Sequence, residues 1–353
     1  MTAQRFRSAD PSVDRLYHQL AEWSLQPLWE LDGLLTAQPR ARAVPYRWPG
    51  AVLHELGTGT RNLVSIDSAG DRRVLVCCNP GLEGAPYTVS TLSAALQYLD
   101  GHEAAPPHRH TPAALRFVVE GEGVWTLVDG QPLYMSSGDL ILTPSWAFHE
   151  HCNPTPEAMI WLDVLDLPVV AALDAVFFEP GPPKPLPSTE ICDQKSLPRG
   201  GGRMESATDR RSSRLVHPWA EIDALLSTQL SVRGGGHARV RYVDPIDGGD
   251  VLPTMRCEMQ RVLAGRATGT ERQTGGRVAC VLHGAGSIRV GDETFDIERG
   301  DVVAIPSWQA WSIRADVDLD LFSTSDAPVL EGLGLYRCET ANGGVDVLQA
   351  DHR

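Results

Sequence analysis

The sequence predicts an all-β fold, with two small β-barrel or jelly-roll domains after an N-terminal helical segment. From about residue 50 onward, short β-branched runs alternate with Gly or Asp turns. A block of motifs occurs twice: EGEGVWTLVDG (120–130) and GDLILTPSW (138–146) match HGAGSIRVGDE (283–293) and GDVVAIPSW (300–308). Ahead of these strands, apolar residues recur every three or four positions over residues 12–36, as in a helix, with Ser12 as the expected N-cap.

The composition fits an ordinary globular protein and disfavours two kinds of partner. The chain has 353 residues, 42% of them apolar, and a net charge of -14. Such a charge argues against a general affinity for nucleic acid or an anionic membrane. Neither a leader-like apolar segment nor a membrane-spanning run is evident. The 7 cysteines lack CxxC spacing, so we expect reduced thiols and a cytoplasmic protein.

Several runs predict individual strands, and one segment predicts a linker. The strand candidates are RRVLVCC (72–78), RFVVEG (116–121), VWTLV (124–128) and DLILTP (139–144). Residues 178–215 are rich in Pro, Gly, Ser and Arg and are typical of a mobile linker. The predicted organisation is a helical segment with leading strands, a metal-binding barrel, a linker with a connecting helix, a barrel without metal ligands and a tail, at 1–90, 91–177, 178–250, 251–339 and 340–353.

Three histidines indicate a metal site in the first repeat. His108 and His110 are one residue apart on a predicted strand, and His149 follows the GDLILTPSW motif. Imidazole suits zinc, copper, iron or nickel, so the ligand type alone leaves the ion open. In the second repeat, Glu271, Gln273 and Trp311 stand at the equivalent positions. We therefore expect the first repeat to hold the metal and the second to serve packing.

These motifs resemble those of the cupins. His108 and His110 match the HxH of the first cupin motif, although Ala114 stands where a cupin usually has Glu. Pro144, His149 and Asn153 match the second motif, with Trp146 in its Gly position. More narrowly, the chain resembles the gentisate 1,2-dioxygenase family, which includes salicylate and 1-hydroxy-2-naphthoate dioxygenases. The stretches that carry this resemblance are PLWE (27–30), NPGL (79–82), HRHTPAALRFVVEGEG (108–123), TPSWAFHEH (143–151), WLDVLDLP (161–168) and SDAPVLEGLGLYR (325–337).

The resemblance implies a bicupin that acts as an extradiol-type ring-cleaving dioxygenase. It implies Fe(II) on His108, His110 and His149, dioxygen and an ortho-hydroxy aromatic carboxylate as substrates, and a homotetramer. Strand side chains alternate between faces, so Arg116 should point inward as position 114 does in cupins. The resemblance then implies that Arg116 binds the substrate carboxylate. Arg72 or Arg73 is a second candidate for this role, with Arg72 preferred.

Four further residues are candidates for the substrate pocket. His151 and Asp163 are candidate catalytic residues, His151 for proton transfer and Asp163 for orienting a ligand or the substrate. Gln97 is expected to line the pocket. Relatives carry an aromatic residue where this chain has Ser93, so Ser93 should enlarge the wall or add a hydroxyl, which favours a bulkier substrate than gentisate.

Other interpretations remain open at this stage. Arg116 could instead pair with Glu120 or Asp163 in the core. His151 and Asp163 could be purely structural, and two histidines on a strand could face solvent. A metal-dependent decarboxylase or isomerase is the rival enzyme class. A regulatory bicupin that binds an aromatic acid is the rival outside enzymes.

Overall fold

The computed structural model describes residues 10–65, 72–181, 214–341 and 348–349. It divides into two compact units, Met1–Arg40 and Ala41–Arg353. Among the described residues, no helix has both the length and the apolar character needed to cross a membrane.

The first unit contains one helix that is shorter than the sequence pattern predicted. Helix α1 spans Pro11–Glu22, and a 3-10 turn follows at Leu28–Glu30. The predicted cap at Ser12 is wrong: Asp10 is the N-cap, and its carboxylate accepts a hydrogen bond from the Ser12 backbone N–H at 2.8 Å. The helix ends before position 36 because Ser24 adopts a left-handed φ of 55° and Pro27 cannot continue the hydrogen-bond ladder.

The second unit contains four helices and twenty-three strands within its described residues. The helices are α2 (Gly50–Leu63), α3 (Leu167–Ala172), α4 (Trp219–Arg233) and α5 (Ala327–Gly332). The strands are β1 (Tyr46–Trp48), β2 (Arg73–Val76), β3 (Ser93–Leu99), β4 (Ala104–His110), β5 (Ala114–Glu120), β6 (Glu122–Val128), β7 (Gln131–Ser136), β8 (Leu140–Thr143), β9 (His149–Cys152), β10 (Met159–Leu165), β11 (Phe178–Pro180), β12 (Val216–His217), β13 (His237–Arg241), β14 (Arg256–Val262), β15 (Thr270–Gln273), β16 (Arg277–His283), β17 (Ala285–Val290), β18 (Glu293–Glu298), β19 (Val302–Ile305), β20 (Trp311–Ala315), β21 (Leu319–Ser325), β22 (Cys338–Ala341) and β23 (Leu348–Gln349).

These strands form four sheets, two in each barrel. The first barrel joins the sheet β12-β8-β5-β10-β3-β2 to the sheet β11-β4-β9-β6-β7. The second joins β1-β19-β16-β21-β14-β13-β23 to β18-β17-β20-β15-β22. The predicted bicupin fold and the four strand candidates are confirmed. Helix α2, by contrast, lies where the sequence suggested mainly strands.

In each barrel, one face of the larger sheet points into the barrel interior. The opposite face of that sheet packs against the other barrel. Alternate residues of β3, β5 and β10 line the inside of the first barrel, among them Val118 and Trp161. The residues between them, such as Phe117 and Leu162, join Phe322 and Met259 of the second barrel in one shared core. The barrels therefore pack back to back through apolar side chains.

The segment predicted as a linker begins with a strand. Residues Phe178–Pro180 pair with His108–His110 on β4, so the first barrel extends past the predicted boundary at 177. The Pro-rich composition of this segment gave no sign of the pairing. Most of the predicted linker, from 182 to 213, and most of the tail lie outside the described residues.

Five of the six cysteines within the described residues are free, as expected. Cys77, Cys78, Cys257, Cys280 and Cys338 are free. Cys152 is disulfide-bonded, so the expectation of reduced thiols is wrong at this residue.

Candidate metal centre

Two paired strands bring the three predicted histidines together inside the first barrel. His108 and His110 share one face of β4, and His149 opens β9, where it pairs directly with His108. One ring nitrogen from each histidine lies within 4.8 Å of the others. Among the described residues, this is the one group of three or more His, Cys, Asp or Glu side chains that could hold a metal ion.

The surroundings keep these imidazoles neutral and orient two of them. Burial, and then the charge of Arg72, lowers the pKa of His108 to about 2. Burial also lowers the pKa of His110 and, more strongly, that of His149. His110 Nδ1 lies 2.7 Å from the Pro112 carbonyl, and His149 Nδ1 lies 3.0 Å from the Ala147 carbonyl. A carbonyl only accepts, so each Nδ1 donates and each Nε2 keeps the lone pair that a metal needs. The donor set therefore fits a divalent transition metal.

Arg116 lies on the inner face of the barrel, as the strand alternation predicted. It pairs across the sheet with Asp163, and its Nε lies 3.3 Å from Asp163 Oδ1. Its Nη1 donates to Thr143 Oγ1 at 2.5 Å. Of the two core carboxylates considered as partners, the structure thus selects Asp163. Burial raises the pKa of Asp163 to about 6, and the Arg116 charge opposes that rise.

The neighbouring arginines of the leading strand face opposite ways. Arg72 donates to the Pro106 carbonyl at 2.7 Å and contacts His108 Nδ1. Arg73 is buried on the other face and forms an ion pair with Glu103. Arg72 therefore lies next to the histidine cluster and Arg73 does not.

The remaining predicted pocket residues are all buried in the first barrel. His151 Nδ1 lies 2.9 Å from Thr126 Oγ1, and its Nε2 has no hydrogen-bond partner. Gln97 is 2% exposed, and its Nε2 also has no partner. Ser93 donates its hydroxyl to the Pro86 carbonyl at 2.8 Å. That bond occupies the hydroxyl, so Ser93 contributes mainly its small volume.

Three buried residues that support the site were not among the candidates. Thr143 contacts Arg116, Thr126 contacts His151, and Trp161 Nε1 donates to Asp163 Oδ2 at 3.2 Å. Strand pairing could have indicated Thr143, because it pairs directly with Ala114 and directly paired residues share a face. The other two depend on side-chain directions that the sequence does not specify.

Ion pairs fill the corresponding region of the second barrel. Arg277 stands at the position of Ala114 in the repeat and donates to Glu258 at 2.5 Å and to Ser323 at 2.7 Å. Glu271, at the position of His108, accepts two hydrogen bonds from Arg239, at 2.9 and 3.0 Å. The charges of these two arginines and two glutamates balance. This barrel interior is therefore packed by internal ion pairs.

Comparison with known proteins agrees with this architecture. The Cupin domain family matches residues 95–165. A gentisate 1,2-dioxygenase from Streptomyces sp is 44% identical over 92% of this chain and 94% of its own length. A 5-aminosalicylate 1,2-dioxygenase from Comamonas sp is 32% identical over 94% of this chain and 91% of its own. The crystal structure of a salicylate 1,2-dioxygenase from Pseudoaminobacter salicylatoxidans, as adducts with gentisate, has a TM-score of 0.83 at 39% identity, covering 97% of each chain.

Two back-to-back cupin barrels, the first with a trihistidine cluster that could hold a metal ion, define a bicupin. The identity shared with the curated relatives over nearly the whole chain makes the assignment narrower. This chain belongs to the gentisate 1,2-dioxygenase family of ring-cleaving dioxygenases.

Proposed function

We propose that this chain is an Fe(II)-dependent dioxygenase that opens the ring of an ortho-hydroxy aromatic carboxylate, such as gentisate, salicylate or a substituted salicylate. The bond broken joins the carbons that bear the carboxylate and the hydroxyl, which is extradiol-type cleavage. One observation carries the proposal: three neutral histidines face the interior of a barrel in which the charge of buried Arg116 acts on each of them. Relatives named for gentisate and 5-aminosalicylate support the substrate class.

The charge of the ligand set favours an anionic substrate. His108, His110 and His149 are neutral, and Ala114 supplies no carboxylate, so the protein ligands leave the charge of a divalent ion uncompensated. When bound, ferrous iron would supply the chemistry that activates dioxygen and would accept the carboxylate and hydroxyl oxygens of the substrate.

Arg116 is positioned to bind the substrate carboxylate. Its Nη1 is held by Thr143, and Asp163 lies beside its Nε, which has no hydrogen-bond partner. Two fixed partners hold the guanidinium plane, and a planar guanidinium recognises a carboxylate through paired N–H donors. Arg72, at the edge of the cluster, would contribute a second positive charge for the same group.

His151 is the residue placed to exchange a proton with the substrate. Its Nδ1 faces Thr126, so the proton would be held or accepted at the buried, unpartnered Nε2. Asp163 keeps Arg116 in place and, through Trp161, is itself fixed. Gln97 adds an amide donor on the same inner face.

Ser93 supports a substrate with a ring substituent. Its hydroxyl is bonded to the Pro86 carbonyl, so it offers the pocket a small side chain with no free donor. This favours the interpretation that Ser93 enlarges the pocket over the interpretation that it adds a hydroxyl to the pocket wall. The free buried thiols Cys77, Cys257 and Cys280 support a cytoplasmic location, whereas the disulfide at Cys152 counts against it. The family resemblance supports a homotetramer.

The test is dioxygen uptake by protein reconstituted anaerobically with Fe(II). The panel contains gentisate, salicylate, 5-substituted salicylates and 1-hydroxy-2-naphthoate, and ultraviolet spectra follow the aromatic band. We expect stoichiometric uptake with loss of that band, and no uptake by a His108→Ala control. Carbon dioxide release without uptake would instead favour a decarboxylase. Tight binding of the acids without turnover would favour a regulatory protein.

A further inference from the structure

A stacked arginine connects the three segments that surround the metal ligands. Arg109 lies between His108 and His110 on β4, and its side chain points to the opposite face. Its guanidinium carbon lies 4.4 Å from the Trp146 ring centroid and 4.5 Å from the Phe148 ring centroid. Its Nε and Nη2 donate to Glu179 at 2.9 and 2.6 Å. One side chain thus joins the strand of two ligands, the loop before the third and the edge strand β11.

The loop that precedes His149 carries backbone strain at Trp146. This residue has a φ of 66°, a left-handed conformation that glycine adopts freely and that is unfavourable for residues with a side chain. The Trp146 N–H donates to the His110 carbonyl at 2.9 Å, which ties the loop to the ligand strand. Two contacts hold the indole in this conformation: Arg109 stacks on its ring, and the Phe177 ring meets it edge-on with the ring centroids 6.1 Å apart.

The second barrel repeats this arrangement without the histidines. Trp308 has a φ of 65°, and its N–H donates to the Gln273 carbonyl at 2.7 Å. The Arg272 guanidinium carbon lies 4.7 Å from the Trp308 ring centroid. Arg272 Nε donates to Glu339 at 2.8 Å. The arrangement therefore forms independently of metal ligands and belongs to the barrel architecture.

We propose that Arg109, Trp146 and Glu179 form a positioning clamp for the metal centre. The clamp holds the loop that ends at His149 against the strand that carries His108 and His110, so the three imidazoles are preorganised before metal binds. The side chains of the clamp lie outside the barrel, so they act through the backbone and do not touch the metal or the substrate. This inference rests on the proposed metal role of the three histidines.

The two barrels provide matched variants for the test. Arg109→Met keeps the aliphatic stem and removes the cation, and Trp146→Gly removes the indole and also relieves the strain. Arg272→Met and Trp308→Gly make the same changes in the second barrel. Fe(II) affinity is measured anaerobically by competition with a chromophoric chelator, and thermal unfolding of each apo protein is recorded in parallel.

We expect both first-barrel variants to bind Fe(II) about tenfold more weakly or worse, as is usual when groups that orient metal ligands are removed. Both second-barrel variants should keep wild-type affinity, even where their apo proteins melt earlier. Wild-type affinity in the first-barrel variants, or equal losses in both barrels, would overturn the clamp alone. Failure of the wild-type protein to bind Fe(II) would overturn the metal centre and the clamp with it.

Discussion

Phe117 of the first barrel and Phe322 of the second stack face to face, with ring centroids 4.1 Å apart and planes 6° apart. Both side chains are fully buried in a core to which both barrels contribute. A second link lies nearby, because Thr254 of the second barrel donates to Asp166 of the first at 2.6 Å. The second barrel therefore supports the sheet that carries Arg116 and Asp163.

Replacing Phe322 by Ala should destabilise the whole unit and not the second barrel alone. Removing a buried Phe side chain costs about 3–5 kcal/mol, and loss of the aromatic pair adds about 0.5–1.5 kcal/mol. Chemical denaturation followed by fluorescence should show one transition at lower denaturant. The exposed Val317→Ala is the control and should shift the midpoint little. Two separated transitions in the variant would argue against a shared core.

Arg116→Ala should retain Fe(II) and raise the KM for the aromatic acid sharply. Loss of two hydrogen bonds to a charged group, at about 1.5 kcal/mol each, corresponds to roughly a hundredfold increase in KM. Arg116→Lys should recover part of the loss, because it restores the charge but not the paired donors. Arg73→Ala is the matched control, since it removes a buried arginine from the opposite face of the same sheet. Unchanged kinetics in Arg116→Ala would refute the assigned role.

Much of the site could be predicted because strand alternation and motif spacing translate directly into geometry. His108, His110 and His149 form one cluster, and the inward direction of Arg116 followed from position 114. The choice of Arg72 over Arg73 for the inner side also follows from alternation once the strand is placed. Successive side chains of a strand point to opposite faces, so the directions of these arginines follow once the strands are assigned correctly.

What the sequence did not indicate depends on contacts between segments that are distant along the chain. Glu179 meets Arg109 only because β11 pairs with β4, and the composition around 178 suggested a linker. Trp146 appeared to be a departure from a Gly position, whereas its ring stacks on Arg109. Helix α1 ends early because Ser24 adopts a left-handed conformation, and the spacing of the apolar residues does not indicate that conformation.

The ion pairs inside the second barrel should make Glu258 sensitive to substitution. Burial alone would raise the pKa of Glu258, but Arg277 and Arg239 lower it to about 2. Glu258→Gln leaves Arg277 buried with its main partner neutralised, which should cost about 3–5 kcal/mol. Thermal unfolding measures the loss, and the iron content of the folded protein should remain that of wild type. Loss of iron without loss of stability would indicate that the second barrel acts on the metal centre directly.

Asp326 should give the stability of the protein a distinct pH dependence. Burial raises its pKa from the usual 3.8 to about 6. The folded state therefore binds this proton more tightly than the unfolded state. The resulting stabilisation is fully present below the unfolded-state pKa and is lost as the pH rises through about 6, with a total near 3 kcal/mol.

Asp326→Asn cannot ionise, so its stability relative to wild type should rise across this window and level off above it. Denaturant titrations at pH 4, 5, 6 and 7 measure the difference. The exposed Asp316→Asn is the control for the chemical change from Asp to Asn. If Asp326→Asn gains nothing between pH 4 and pH 7, the buried carboxyl is already ionised at low pH, and the raised pKa is wrong.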